Sequence, residues 1–318
     1  MPPIPGMPYG QAPAWCFPFM EISAYILFVF CFMHARKQGI RHVSYLLGGL
    51  VFGLILEYVN VISNMGYTYG KFLVMFGNAP DAIPLCIGVG WSIIMYTARL
   101  FSDAFQLPLW AAAAFDTLLA ISIDLSMDTV AYRLHMWHWD WSGTNLNPLT
   151  ADWFGVPFGN FFGWQLVVFF YSSISRLLER GFLRKQDQHK FLFAFVPVIA
   201  VLASQVLLYI MLKYVDPWLK NTFGITSLHR FITFLIVLLI IAIRGFVKRT
   251  KMQPHSTPFI TWLVPFWFHA FFFALLFIGG FYKESSLLVI AASLNILIGL
   301  GIHFLGYRKR SAMVVSPV

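Results

Sequence analysis

The stretch Phe191–Leu212, FLFAFVPVIAVLASQVLLYIML, runs for 22 residues without a Lys, Arg, His, Asp or Glu. A helix needs about 20 such residues to cross the hydrocarbon core of a bilayer, so this segment alone predicts a membrane span. Reading outward from it finds eight more: Phe17–Ala35, Val43–Ser63, Ala82–Leu100, Leu109–Met127, Phe158–Leu178, Leu228–Arg244, Pro258–Gly280 and Ser285–Leu305. The expected fold is all-α, a polytopic transmembrane bundle of about nine spans, with eight as the nearest alternative. Composition agrees. Of 318 residues, 59% are hydrophobic and 11% charged, with mean hydropathy +0.72, whereas a soluble domain carries about 25% charged residues. A soluble fold is excluded.

The net charge of +9 would suggest nucleic acid in a soluble protein. Here the basic residues fall between apolar runs and read as topology signals, so no nucleic-acid partner is expected. One set of alternate connections holds 16 Lys and Arg, among them Arg36, Lys37, Arg41, Arg99, Arg176, Arg180, Arg184, Lys185, Lys190, Lys248, Arg249 and Lys251. The other holds six: Lys71, Arg133, Lys213, Lys220, Arg230 and Lys283. The excess predicts an outside N-terminus and a cytoplasmic C-terminus, and the expected location is a bacterial-type cytoplasmic membrane. Residues Met1–Trp15 carry no Lys or Arg and lack the basic region of a secretory signal, so the first span is expected to be retained. Cys16, Cys31 and Cys86 have no metal-like spacing, and their odd number argues against a disulfide framework.

Two long connections on the expected outer side, Asn64–Asp81 and Asp128–Pro157, are rich in Gly, Tyr, Trp and Asn. Loops of this length tend to be functional. The second, with Trp137, Trp139, Trp141 and Trp153, reads as a cap over the bundle or as an aromatic belt at the interface. No internal repeat is evident. The basic connection Ser175–Lys190 separates residues 1–180, which carry the motifs and five spans, from residues 181–318 with four plainer spans and a basic tail.

A charged Asp at a helix centre costs about 2.5–3.5 kcal/mol on insertion scales, so acids inside spans need a partner or a function. Glu57, Asp116, Asp124 and Asp128 are the acids singled out. Asp124 and Asp128 stand four residues apart and share a helix face if the helix continues. Two carboxyls together in an apolar site cannot both ionise cheaply, which makes one of them an expected acid; the alternatives are a helix cap or pairing with Arg133. For Asp116 an interhelical hydrogen bond is an equal reading. His135 and His138 form an H-x-x-H, but the other histidines are scattered singly, so neither an iron centre nor a haem is expected and no cofactor is assigned. There is no G-x-S-x-G, P-loop or H-E-x-x-H.

Glu57, Gly66-Tyr67-Thr68-Tyr69-Gly70, Ile83-Pro84-Leu85 with Trp91, Asp124-Leu125-Ser126-Met127-Asp128, Trp137-His138-Trp139 and Gly155-Val156-Pro157-Phe158-Gly159-Asn160-Phe161-Phe162-Gly163-Trp164 follow one another in that order. This series resembles the membrane carotenoid-biosynthesis family that contains bisanhydrobacterioruberin-type and gamma-carotenoid hydratases, departing from it in Thr129, where that family carries Pro. The resemblance covers Glu57 to Trp164 and implies hydration of the terminal trisubstituted double bond of an acyclic carotenoid. It implies Asp124, Asp128, Glu57 and Asn160 as catalytic residues and Tyr67, Tyr69, Trp91, Trp137, Trp139 and Trp164 as substrate-binding ones. Such chemistry needs a proton donor, a sheltered tertiary cation and a positioned water. Asp124 or Asp128 would donate, the other carboxylate would hold the water, aromatic faces would shelter the cation, and Asn160 would orient the water. Expected partners are an acyclic carotenoid or other long isoprenoid, membrane lipid and other carotenoid enzymes. Two further readings stand beside this one: a proton-coupled transporter with Glu57, Asp116 and Asp124 as a relay, and a non-catalytic carotenoid or lipid binder.

Overall fold

The computed structural model describes residues 12–63, 67–141, 143–183, 195–248 and 257–311. Gly66 of the first aromatic motif, the tail before Ala12, and Arg184, Lys185, Lys190, Arg249 and Lys251 lie outside the described residues. Among the described residues, nine helices are long and apolar enough to cross a membrane, and each coincides with one of the expected spans. They are α1 (Cys16–Gln38), α2 (Ile40–Ile62), α3 (Leu85–Asp103), α4 (Leu109–Arg133), α5 (Phe158–Leu183), the composite α6–α7, α8 (Ser227–Lys248), α9 (Ile260–Ile278) and α10 (Ser286–Ser311). The chain is an all-α helical bundle and an integral membrane protein. Large apolar side chains such as Leu202, Val206, Ile236, Ile240 and Leu297 are exposed around its girth, where only hydrocarbon would cover them favourably.

Several helices run further than expected, and two of the extensions shape the site. The sixth span does not stop at Leu212. It continues from α6 (Val196–Ile210) through a π-turn, Met211–Val215, into α7 (Asp216–Phe223). Pro217 lies in the first turn of α7. Proline lacks an N–H and crowds the carbonyl four residues back, and a wider i→i+5 turn absorbs this misfit without ending the helix. α4 passes Met127 and reaches Arg133, which makes Asp128 helical and puts it one turn above Asp124.

α4 is the axis of the bundle, buried along almost all of its length and packed against α3, α5, α8, α9 and α10. Its run Ala111–Ala114 lets α8 approach closely; a Cβ added at Gly245 would fall 2.1 Å from the Ala111 Cβ. On the other side α2 packs on α3 through small residues, and a Cβ at Gly53 would meet the Trp91 side chain at 2.7 Å. Small residues of this kind draw membrane helices together where lipid offers no hydrophobic drive for association. The helices after residue 180 pack directly on this core, α6 and α8 on α5, and α8, α9 and α10 on α4.

Successive antiparallel helices give the bundle two ends. One gathers the last turns of α2 and α4 and the first turns of α3 and α5, and is here termed the Glu57 end; the other is the Arg176 end. At the Glu57 end the two long connections meet as a two-stranded antiparallel ladder, β1 (Tyr67–Tyr69) with β4 (Trp137–Trp139), while β2 (Met75–Phe76) pairs with β3 (Ile83–Pro84). Two buried charges hold these connections. Glu21, on α1, accepts hydrogen bonds from the backbone N–H groups of Leu73 and Val74 at 2.5 and 2.9 Å and from the Tyr25 hydroxyl at 2.6 Å. Arg133 donates to the Leu149 and Phe154 carbonyls at 3.2 and 2.8 Å and forms an ion pair with Glu284 at 2.6 Å.

Candidate functional site

The ladder register sets Tyr67 opposite Trp139 and Tyr69 opposite Trp137. Side chains alternate across a strand, so these four rings share one face while Thr68 and His138 take the other. The inward rings pack in pairs, Tyr67 on Trp139 with centroids 5.4 Å apart and Tyr69 on Trp137 at 6.5 Å. The Tyr67 hydroxyl donates to the Tyr69 hydroxyl at 3.0 Å. His138 stacks on Tyr132, away from this face. Burial and the neighbouring His135 push its imidazole below the ordinary range. Among the described residues no three His, Cys, Asp or Glu side chains cluster as a metal would need.

Glu57 is buried one to two turns before the end of α2. Its carboxylate accepts the Trp91 indole N–H at 2.8 Å, and Tyr69 and Asn60 line the same cavity. Across from it, Asp124 and Asp128 are both buried on α4. Their carboxyls lie within hydrogen-bonding reach of each other. The Asn160 amide, from the first turn of α5, bridges them, donating to Asp128 at 2.7 Å and to Asp124 at 3.4 Å, and Trp137 lines the same cavity as Asp128. Arg133 does not pair with either acid. Its guanidinium is spent on Glu284, the Thr129 carbonyl and the loop carbonyls. The first turn of α5 is capped by Asp152, whose carboxylate accepts the Phe158 N–H at 2.9 Å.

Between these walls lies a cavity of about 330 Å³. Glu57, Tyr67, Tyr69, Trp91, Asp128, Trp137, Trp139, Asn160 and Trp164 all line it, and Asp124 sits behind Asp128, off its wall. All ten residues singled out in the sequence therefore gather in one place. Trp91 and Trp164 press together, centroids 3.9 Å apart, and Leu56, Ile94, Met127 and Phe268 supply apolar surface. Gly159 and Gly163, one turn apart on α5, have no atom within 4 Å of where a Cβ would stand, so the absence of a side chain there is space in the cavity. Leu208, Leu212 and Asp216 contribute the edge formed by α6, the π-turn and α7.

The Arg176 end carries a separate polar network. Asp116 accepts from Arg176 at 2.8 Å and from Ser172 at 2.6 Å, Arg176 also pairs with Asp103, and Arg99 bonds Glu179 at 2.6 Å beneath the half-buried Arg41. Eight residues of helix separate Asp116 from Asp124, about 12 Å along the axis, and Asp116 does not line the cavity. Arg99 and Arg176, counted in the sequence as loop charges, are buried inside the bundle, as are Arg133 and Arg230 of the opposite set. The charge excess keeps its direction, since each set loses two.

A family described only as a domain of unknown function, DUF7802, matches residues 14–317. The chain belongs to the DUF7802 family. No curated protein and no solved structure matches it. The matched region of this DUF7802 chain includes all nine candidate spans and every residue of the cavity wall.

Two polar residues of the cavity wall, Asn60 and Asp216, and the loop anchor Glu21 went unnoticed in the sequence. Asn60 stands three residues after Glu57, on the same helix face, a spacing that was open to reading. Asp216 pairs with Arg230, 3.0 Å between Oδ2 and Nη2, but reads as loop until the π-turn is known. Glu21 lies in the first span like the other intramembrane acids; it pairs with Tyr25 one turn on and with backbone groups more than 50 residues away.

Proposed function

We propose that this DUF7802 chain adds water to the terminal trisubstituted double bond of a long acyclic isoprenoid, of which an acyclic carotenoid is the type. The observation that carries the proposal is the carboxyl pair Asp124–Asp128, bridged by Asn160 at the wall of an aromatic cavity. Two carboxyls in contact share a proton, so one is held neutral as the donor, and the Asn160 amide, which reaches both, would stabilise the charge left when that proton is given up. Protonation at the less substituted carbon consumes the π electrons and leaves a tertiary cation. The faces of Trp91, Trp137, Trp139 and Tyr67 would stabilise that cation and exclude competing nucleophiles. A water held by the Asn160 amide and a carboxylate of the wall then forms the new C–O bond and releases a proton, giving a tertiary alcohol. The same site serves dehydration in reverse.

At close-packed density the cavity accommodates only about a dozen carbon atoms. A long polyene would enter end first, with the remainder outside between α5 and the α6–α7 edge, where Gly163 and Leu212 meet lipid. A proton-coupled transporter is less well supported, because Asp116 belongs to the network at the opposite end and not to a path shared with Glu57 and Asp124. We further propose a bacterial-type cytoplasmic membrane and, within it, the Glu57 end outward on the strength of the Lys and Arg excess at the other end. Expression in a host that accumulates lycopene, followed by mass spectrometry of extracted pigment, tests the function. A product heavier by one or two waters is expected; unchanged lycopene across several acyclic substrates overturns it.

A further inference from the structure

The cavity is walled on most sides by elements held deep in the bundle, α3 and α4 among them, and on one side by an edge that is not. Neither the π-turn nor α7 has a buried residue, and their packing is chiefly with one another and with α6. Yet this edge supplies Leu212 and Asp216 to the cavity. An element with so few buried contacts belongs to the least stable part of a fold, so whatever fixes it shapes the open side of the cavity. The composite helix Val196–Phe223 has 28 residues, about 42 Å at 1.5 Å per residue, against a hydrocarbon core of about 30 Å. The surplus is α7, whose exposed Trp218, with exposed Tyr214 just before it, suits the interface where such rings gather.

A buried side chain from another helix reaches this edge. Arg230, in the first turn of α8, donates through Nη2 to Asp216 Oδ2 at 3.0 Å and through Nη1 to the Ile225 carbonyl at 2.6 Å, and its Nε pairs with Asp216 Oδ1. The root of this arm is fixed on α5. The guanidinium carbon lies 6.0 Å from the Phe162 ring centroid, Phe231 packs on Phe158 and Phe161, and the Gln165 amide donates to the Phe231 carbonyl at 3.4 Å. α5 also carries the facing lip of the cavity, Gly159 and Gly163, so Arg230 couples the two lips. We propose that Arg230 is a positioning residue of the isoprenoid portal. By holding Asp216 it sets Leu212 against the chain that leaves the cavity past Gly163, and so binds the part of a long substrate that the cavity cannot contain. The inference rests on reading the cavity as the seat of an isoprenoid end, and it gives Arg230 no part in the proton chemistry.

Arg230→Gln keeps a donor for the Ile225 carbonyl and removes the charge that meets Asp216, whereas Arg230→Lys keeps the charge. The test uses the purified full chain in lipid nanodiscs. Lycopene binding is read from quenching of the cavity tryptophans, and lycopene is then displaced by an acyclic isoprenoid alkene of about ten carbons, short enough for the cavity to hold whole. In Arg230→Gln the Kd for lycopene should rise about tenfold, roughly the worth of one leucine side chain lost from the contact, while that for the short alkene keeps its wild-type value. Arg230→Lys should bring the lycopene Kd back toward wild type. Equal weakening of both ligands is what a merely structural role would give; that result, an unchanged lycopene Kd in Arg230→Gln, or no recovery in Arg230→Lys overturns the proposal. Hydrogen exchange of the wild type needs no variant: lycopene should slow exchange across residues 211–223 and the short alkene should not. Equal protection by both ligands, or none by lycopene, also overturns it. If lycopene binds the wild type and only these contrasts fail, the hydration reading stands without the portal; if lycopene quenches nothing, both fall together.

Discussion

Asp128 is the residue on which most of the local geometry converges. It accepts from the Asn160 amide and shares the cavity wall with Trp137, and Asn160 is the group that donates to both Asp128 and Asp124. Asn160→Ala should leave the fold intact, since the side chain is partly exposed to the cavity. It should lower the rate of hydration by roughly 10²-fold, within the range of a lost transition-state hydrogen bond; steady-state assay of the folded variant against the wild type checks this. At this scale much was legible in sequence. An acid in an apolar run is conspicuous because its burial is costly, which is how Glu57, Asp124 and Asp128 stood out. Their partners were not legible. The i,i+4 spacing brings Asp124 near Asp128 on any helix, but whether Arg133 neutralises the pair depends on Glu284, 151 residues away, and no local pattern encodes that choice.

The helices were read with little error because each is specified by its own apolar run. The elements that failed were those whose form depends on something distant. β1 and β4 are three residues each, too short to declare themselves, and exist because two loops meet over the bundle; the aromatic cap expected from Trp137 and Trp139 takes its shape from Tyr67 and Tyr69. The π-turn follows from Pro217 only once α6 and α7 are known to be continuous. Two predictions belong here. Gly163→Leu would place a branched side chain in open cavity space on α5, so the variant should fold with unaltered thermal stability yet lose turnover of long isoprenoids, as measured by product yield at matched protein level. Arg133→Met would leave Glu284 as an uncompensated buried charge and free the Leu149 and Phe154 carbonyls. A loss of about 3–5 kcal/mol is expected for breaking such a pair, seen as a lower thermal midpoint in detergent and as faster proteolysis of the Asp140–Pro157 connection.

Across the whole molecule, polarity is divided between two ends. Among the described residues, the Glu57 end holds a hollow with three carboxyls that carry no arginine partner, while the Arg176 end has Asp103, Asp116 and Glu179 matched to Arg41, Arg99 and Arg176 in a solid network. Paired charges stiffen one end, and unpaired acids at the other remain free to take part in chemistry. The proposed orientation is testable because Cys16, Cys31 and Cys86 are all buried and give a quiet background. A cysteine placed at exposed Asn145 should react with a membrane-impermeant maleimide from the outside of intact cells, and one at exposed Lys37 only after the membrane is opened; the reverse pattern would invert the assignment.

The central claim, that the Asp124–Asp128 pair drives addition of water to an isoprenoid alkene, is tested most directly by the origin of the product's oxygen. The chain, reconstituted in lipid nanodiscs with an acyclic carotenoid in heavy-oxygen water, should yield a tertiary alcohol carrying the heavy isotope, and Asp124→Asn and Asp128→Asn should yield none. Recovery of unchanged carotenoid from the wild type, or equal labelled product from both variants, would contradict it.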